Sequence, residues 1–248
     1  MSIQVVSDLH LEVIKDYDIF EIVPQAPYLA LLGDIGSPTK HQTEFRQFLT
    51  QQLHWIATIE PLRAFEKDVQ NDSSLGDFVF LDRAKYHIPD TNMVVLGCSL
   101  FSFILPDKHD AVSLGLNDLY QTSDWTPEAH NDLQKRDVAW LNDTVAELEH
   151  SKANIMIFSH WSHTQDEFTM DEKNAQNSVS SAFSTDMSEQ FCFKSRQVKL
   201  WAFGHTHYNC DFVADRDGDV GPLRLVANQR GYYSARAEDF DSQMTVAV

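Results

Sequence analysis

Short apolar runs recur along the chain, and each of them ends in polar residues. Runs of about four to six residues, several of them rich in Val and Ile, are typical of buried β-strands. We therefore predict seven strands, at residues 3–7, 28–32, 78–81, 93–97, 155–159, 200–203 and 223–227.

Two longer segments show helical spacing of apolar side chains. The first covers residues 43–59. The second begins at Thr126, a good N-cap residue, followed by Pro127 in the first turn, and ends near His150. Strands that alternate with helices predict an α/β fold. The Ser- and Asn-rich stretch 171–188 predicts a long surface loop.

The bulk composition predicts one globular domain, residues 1–248. Hydrophobic residues make up 43% and charged residues 23%, which is ordinary for such a domain. The three cysteines, Cys98, Cys192 and Cys210, have no paired spacing. The first residues lack a signal-peptide pattern, and no run approaches the roughly 18 apolar residues of a membrane span. We therefore expect a cytoplasmic protein without a membrane partner.

The net charge limits the classes of partner. At −18, the protein repels phosphate backbones, so we do not expect nucleic-acid binding. The same charge repels a small anionic substrate unless bound cations reverse the field at the site, as divalent metal ions do.

Six Asp and His residues directly follow predicted strands. Ligands of open α/β sheets bind at the carboxyl ends of strands, so we expect these side chains to meet. Carboxylates mixed with imidazoles suit Mn, Fe or Zn, and two such ions about 3.5–4 Å apart form a common hydrolytic centre. The predicted ligands are Asp8, His10, Asp34, His160, His205 and His207.

Four of these segments carry a family resemblance. They read Ser7-Asp-Leu-His10, Gly33-Asp34, Ser159-His160 and Gly204-His-Thr-His207, and they resemble the signature blocks of calcineurin-like metallophosphoesterases. The likeness runs over nearly the whole chain. Segments 80–86, 96–101, 203–212 and 228–232 resemble a fungal-type subgroup of that superfamily.

The resemblance implies both a fold and a reaction. The fold would be a β-sandwich of two mixed sheets flanked by helices. Two divalent ions would be bound, and a hydroxide bridging them would attack the phosphorus of a small phosphomonoester or phosphodiester. One ion would be held by Asp8, His10, Asp34 and His207, and the other by Asp34, His160 and His205.

One family block, Gly-Asn-His-Glu/Asp, is absent from the sequence. In the family its Asn binds the second metal, and its His protonates the leaving group or binds phosphate. Either the segment 96–99 replaces the block, with Cys98 as a zinc-type ligand, or the block has been deleted. Deletion would leave the centre short of a ligand and an acid, so the alternative function is a catalytically impaired, metal- or phosphate-binding pseudoenzyme.

Two further residues are candidates for the missing chemistry. His163 lies three positions after His160 and could protonate the leaving group or contact phosphate. Arg230 could bind phosphate with both arms of its guanidinium, although a structural ion pair explains it equally well.

Overall fold

The computed structural model describes residues 1–37, 40–41, 43–45, 47–48, 66–67, 77–115, 125–171, 179–216 and 218–247. The helices are α1 Leu11–Ile14, α2 His109–Gly115, α3 Pro127–Leu148 and α4 Phe191–Lys194. The strands are β1 Ser2–Val6, β2 Tyr28–Leu31, β3 Ala84–His87, β4 Met93–Cys98, β5 Asn154–Ser159, β6 Val198–Phe203, β7 Cys210–Ala214, β8 Leu223–Ala227, β9 Gly231–Tyr232, β10 Ala235–Arg236 and β11 Thr245–Ala247.

Two mixed sheets organise these strands. The large sheet has the order β3-β4-β5-β6-β8-β7, in which β4, β5, β6 and β8 are parallel and the two edge strands are antiparallel. The small sheet has the order β11-β1-β2, with β1 and β2 parallel. Strands β9 and β10 form a separate two-stranded ribbon.

The sheets pack face to face because their apolar residues alternate between the two faces. Ile3, Val5 and Ala30 of the small sheet share a buried cluster with Val95 and Met156 of the large sheet. The other face of the large sheet is covered by α3 through Leu141, Val145 and Leu148. The predicted α/β sandwich of two mixed sheets flanked by helices is therefore confirmed.

Helix α3 matches the predicted second helix closely. The Thr126 side chain accepts a hydrogen bond from Ala129 N, which caps the helix at the expected residue. The predicted first helix is helical at 43–45 and 47–48, and its residues 49–59 lie outside the described part of the chain. Most of 49–76 lies outside it too, so the question of a deleted strand concerns residues that the structure does not describe.

The predicted strand at 78–81 is wrong. These residues form no strand, and the pairing strand is β3, a few residues later. Phe78 is buried against the outer face of the small sheet, so its apolar character serves packing rather than strand pairing. No helix among the described residues combines the length and apolar character that crossing a bilayer requires.

Candidate metal centre

Six side chains gather at the carboxyl ends of β1, β2, β5 and β6, in two groups of three. In each group the candidate ligand atoms all lie within 4.8 Å of one another. The structure thus brings together all six residues that the strand-end pattern predicts. The first triad is Asp8, His10 and His207, and the second triad is Asp34, His160 and His205.

The Asp34 carboxylate lies between the triads. Its Oδ2 is 3.9 Å from His10 Nε2 and 3.7 Å from His160 Nε2. One carboxylate that faces both groups is what a pair of neighbouring cations needs as a shared ligand. The Asp34 side chain is 48% exposed, whereas that of Asp8 is fully buried, so the centre opens to solvent on the Asp34 side.

The backbone at the centre is strained. Left-handed conformations cost a non-glycine residue about 1–3 kcal/mol each and persist only where the surroundings fix them. Such residues concentrate at functional sites. Five of the six predicted ligands have positive φ, namely Asp8 (52°), His10 (47°), Asp34 (46°), His205 (69°) and His207 (48°).

Hydrogen bonds between neighbouring loops hold this backbone. Asp8 N donates to Gly33 O at 3.0 Å, and His10 N donates to Asp34 O at 2.9 Å. The loop after β1 is therefore fastened to the loop after β2. The parallel pairing of the two strands continues past their ends and carries the carboxylates of Asp8 and Asp34 to the same edge.

Two glycines allow the loops to approach. Gly33 has φ of +119°, and a Cβ there would collide with the His160 ring. A Cβ on Gly204 would overlap Ser7 Oγ and lie 2.5 Å from Asp8 Oδ2. Both positions therefore require glycine because ligand side chains occupy the space where a side chain would begin.

Outer hydrogen bonds orient two of the histidines. His160 Nδ1 lies 3.1 Å from Leu32 O and donates to it, which leaves Nε2 as an acceptor facing the centre. His10 Nδ1 lies 3.4 Å from Glu12 Oε1, so its Nε2 also faces inward. Fixing the tautomer in this way is typical of histidines that bind metals.

The electrostatics favour the binding of cations. Burial would raise the pKa of Asp8, but the hydrogen bond from His207 and the nearby charges of His160 and His207 outweigh it and lower the pKa well below its ordinary value. Burial, followed by repulsion from His160, lowers the pKa of His205 well below its ordinary value. The centre thus offers an ionised carboxylate beside a neutral imidazole, the states in which both groups bind metals.

The unsatisfied nitrogen atoms also fit metal ions. His10 Nε2 lies 3.1 Å from His207 Nε2, and His205 Nδ1 lies 3.2 Å from His160 Nε2. Two facing imidazole nitrogens can share at most one proton. A cation between the facing nitrogens would replace this unfavourable contact in each triad.

An aromatic wall borders the second triad, and sequence analysis missed it. The Trp161 ring lies 4.6 Å from that of His160 and 4.5 Å from that of His205, and the Phe183 ring lies 5.2 Å from His205. Phe183 belongs to the predicted loop 171–188, of which residues 172–178 lie outside the described part. The sequence signal that could have revealed this wall was the position of Trp161 directly after a predicted ligand. The wall shields one side of the triad from water.

A cavity of about 540 Å³ adjoins the second triad. Its lining includes Asp34 and His160 together with the apolar Leu31, Leu81 and Phe158. This volume is in the usual range of small-molecule pockets, about 300–1,000 Å³. The triad therefore has space beside it for a small organic group.

Cys98 belongs to neither triad, although it borders the same cavity as Asp34 and His160. It is buried on the helix-facing side of the large sheet, in the cluster that also contains Cys192. Burial, with repulsion from Asp137 and Cys192, raises the pKa of Cys98 well above its ordinary value. A metal ligand must be a thiolate, which a low pKa favours, so the structure does not place Cys98 as the replacement ligand.

His163 is also remote from the centre. It is fully buried and stacks on Trp201, with ring centroids 3.9 Å apart and planes inclined by 8°. Burial lowers the pKa of His163 to about 3. Its spacing from His160 suggested a site residue, but the chain after β5 turns inward and carries this ring into the core. We assign no catalytic role to it.

Arg230 forms a structural ion pair, which was the alternative to phosphate binding in the sequence analysis. Its Nη2 donates to Asp16 Oδ2 at 2.8 Å, and its Nη1 donates to Leu9 O at 3.1 Å. Both charged side chains are almost completely buried, and the guanidinium lies over the Phe20 ring at 4.4 Å. This arrangement uses the guanidinium inside the protein, so we assign it no role in phosphate binding.

Comparisons with known proteins return distant similarities. No family model matches the chain. The chain is 24% identical to the uncharacterized protein L509 of Acanthamoeba polyphaga mimivirus over 266 residues, which cover 93% of this chain and 91% of that protein.

Two solved structures are similar at a low level. A candidate 5'-nucleotidase from Staphylococcus aureus, in complex with alpha-ketoglutarate, has a TM-score of 0.46 and 12% identity, over 93% of this chain. A dimetal phosphatase from Danio rerio has a TM-score of 0.42 and 11% identity, over 92% of this chain and 86% of that one. This chain spans only 48% of the nucleotidase chain. At such similarity neither structure decides the reaction, and the fold rests on the strand order and packing given above.

Proposed function

We propose that this protein is a metal-dependent phosphoesterase of the calcineurin-like type, acting on a small phosphomonoester or phosphodiester with two divalent ions. One observation carries the proposal: two triads of metal-binding side chains meet at the shared carboxylate of Asp34. The four motif blocks of the sequence supply all six of these side chains.

Bound divalent ions would supply Lewis-acid polarisation of the phosphoryl oxygens and activation of water. The chain's own contribution is preorganisation. Ser7 Oγ donates to Asp8 Oδ2 at 2.6 Å and keeps this carboxylate oriented in a fully buried position. His205 N also donates to the Asp8 carboxylate, at 3.1 Å to Oδ2, so the ligand loops after β1 and β6 are coupled through a ligand atom. Preorganised groups need no rearrangement during the reaction.

The accessible side of the centre suits a phosphoester. Asp34 is the most exposed of the six predicted ligands. The neighbouring cavity has apolar walls. A substrate would place its phosphoryl group against the ions and its organic part in the cavity. With a net charge of −18 the protein repels an anion, and bound ions would reverse the field at this site.

A second candidate function is a metal- or phosphate-binding protein without turnover. The observation in its favour is that the candidates for the missing ligand, the acid and the phosphate contact, namely Cys98, His163 and Arg230, all lie outside the two triads. Loss of a general acid typically slows a reaction by about 10²–10⁴-fold. Esters with good leaving groups suffer least because they need little protonation.

Two measurements on the same preparation distinguish these functions. The first is metal content per chain, by elemental analysis of protein purified without chelator. The second is hydrolysis of bis-p-nitrophenyl phosphate and p-nitrophenyl phosphate with added Mn²⁺, for the wild type and for Asp34→Ala. We expect two metals per chain and turnover that the variant lacks. Two metals without turnover would favour the binding function. A wild type that binds no metal would refute the phosphoesterase and the metal-binding form of the second candidate.

A further inference from the structure

The segment 228–232, between β8 and β10, joins the two sheets beside the first triad. Ser7 N donates to Asn228 O at 2.9 Å, and Arg230 N donates to Ser7 O at 3.1 Å, so β1 is extended by a parallel bridge to this segment. Gly231 N then donates to Asp8 O at 3.0 Å. The backbone on both sides of the Asp8 side chain is therefore held by residues 228–232, which we name the brace.

Gln229 of the brace holds the loop that carries His207. Its side chain is fully buried. Its Oε1 accepts a hydrogen bond from His207 N at 2.6 Å, and its Nε2 donates to Thr206 Oγ1 at 3.0 Å and to Tyr208 O at 3.1 Å. One amide thus satisfies three groups on consecutive residues, which uses most of its hydrogen-bonding capacity.

The bond to His207 N acts on a strained residue. His207 has φ of 48°, a conformation that non-glycine residues adopt rarely and that persists only when the surroundings impose it. Without the Gln229 carbonyl, the buried loop loses the acceptor that fixes this backbone. His207 would then relax, and its imidazole would leave the position that faces Asp8 and His10.

Tyr232, at the end of the brace, packs on the imidazoles of the same triad. Its ring stacks on His10 with centroids 4.1 Å apart and planes inclined by 23°, and it meets the His207 ring edge-on at 5.0 Å. Arg230 adds a hydrogen bond to Leu9 O, beside His10. All three ligands of the first triad therefore receive a contact from these five residues.

Other groups hold the second triad. His160 Nδ1 donates to Leu32 O, and His160 N donates to Ser99 O at 3.2 Å. Asp34 O accepts from His10 N. The triads are linked by His10 N to Asp34 O and by His205 N to Asp8, but the ligand contacts of the brace given above all go to the first triad. A change in the brace should therefore act mainly on that triad.

We propose that residues 228–232 are a positioning element for the first metal site, with Gln229 as its central residue. This inference rests on the metal-binding part of the proposed function. Residues that orient metal ligands from outside the coordination sphere change metal affinity by about 10–100-fold when they are replaced. Gln229→Met should therefore weaken the first site by this factor and the second site less.

The chain offers a matched control. Gln4 is also a buried glutamine with three hydrogen bonds to the backbone: Nε2 donates to Val23 O and Ser242 O, and Oε1 accepts from Gln25 N. These partners lie outside both triads. Gln4→Met therefore removes the same side-chain chemistry from the core without touching a ligand loop.

The experiment is a titration of chelator-treated protein with Co²⁺, monitored by calorimetry and by visible absorption. His10→Ala and His160→Ala identify which binding step belongs to which triad. For Gln229→Met we expect a first-site Kd raised about 10–100-fold, an altered absorption band for that site and a clearly smaller change in the second step. Gln4→Met should retain both wild-type steps. Tyr232→Leu, at a half-buried position, gives the same test if Gln229→Met does not fold.

The outcomes separate this inference from the proposed function. A selective loss at the first site supports the brace. If Gln229→Met weakens both sites equally, or weakens neither, the brace is overturned. Two binding steps in the wild type would still support the metal centre in that case. A wild type that binds no Co²⁺ overturns the metal centre itself, and the brace with it.

Discussion

Replacing His163 by Phe tests the finding that this histidine is a core residue. Its ring stacks on Trp201 and meets Phe203 edge-on, with centroids 5.3 Å apart. Neither ring nitrogen has a hydrogen-bond partner among the described residues. A phenyl ring keeps the aromatic stacking and removes the only titratable group at this position.

The expected effect follows from the pKa of His163, which burial lowers from 6.5 to about 3. Between these values the unfolded chain binds a proton that the folded protein excludes, so the free energy of unfolding falls as the pH falls. The slope is about 1.4 kcal/mol per pH unit. From neutral pH down to pH 5, which is one and a half units below 6.5, His163 therefore removes about 2 kcal/mol of stability.

The assay is urea denaturation of the wild type and of His163→Phe at about pH 7.5 and about pH 5, with both proteins in the same metal state. Any cost of fitting the larger ring is the same at both pH values. The difference in unfolding free energy between the variant and the wild type should therefore shift by about 2 kcal/mol in favour of the variant at the lower pH. His150→Phe, at an exposed position on the protein surface, is the control and should show no such shift.

If the difference in unfolding free energy between the two proteins is the same at both pH values, the reasoning is refuted. His163 would then bind its proton as easily in the folded protein as in the unfolded chain. Activity gives an independent check. We expect His163→Phe to keep its turnover per metal-loaded chain. A loss of about 10²–10⁴-fold would instead identify His163 as the general acid and contradict its placement in the core.

Three further predictions concern the centre and its surroundings. Gly204→Ala forces a methyl group against Ser7 Oγ and Asp8 Oδ2, so we expect weaker metal binding in a titration and a loss of about 1–3 kcal/mol in urea denaturation. Arg230→Met leaves Asp16 buried without its partner and should cost about 3–5 kcal/mol in the same assay; a loss under about 1 kcal/mol would contradict the buried pair. Removing bound metal with EDTA should lower the thermal midpoint, because ligand at 100 times its Kd stabilises the folded state by about 2.7 kcal/mol; an unchanged midpoint would argue against a metal centre.

Local sequence was sufficient to find the strands that form the core. Five of the predicted runs, those near residues 3, 93, 155, 200 and 223, are paired strands in which all residues but one at most are buried. A strand that is covered on both faces must be apolar throughout, and this pattern is readable without the fold. Strand β3 alternates between half-buried and exposed residues and carries Lys85 and His87, so its sequence lacks that signal.

The run at 78–81 was predicted as a strand, and these residues form none. Phe78 and Phe80 pack against the outer cluster of the small sheet from an extended loop. Apolar character predicts burial, and burial does not specify strand pairing. Only the position of the chain relative to both sheets decides between the two.

The meeting of the six predicted ligands was predictable because each lies within four residues of a strand end, and parallel strands end at the same edge of a sheet. The sequence by itself thus determined the α/β class and the identity of the residues that face one another at the centre. It did not determine the direction of side chains beyond the strand ends. His163 lies three positions after His160, yet the fold directs it into the core, and Cys98 and Arg230 are likewise buried.

The tertiary structure alone decided which groups support the ligands. Gln229 and His207 are 22 residues apart and belong to loops after different strands, and Ser7 and Asn228 belong to different sheets. Such contacts depend on the register and packing of distant segments, for which local periodicity holds no information. The sequence therefore fixes which atoms can bind metal, and the packing of the two sheets fixes where those atoms are held.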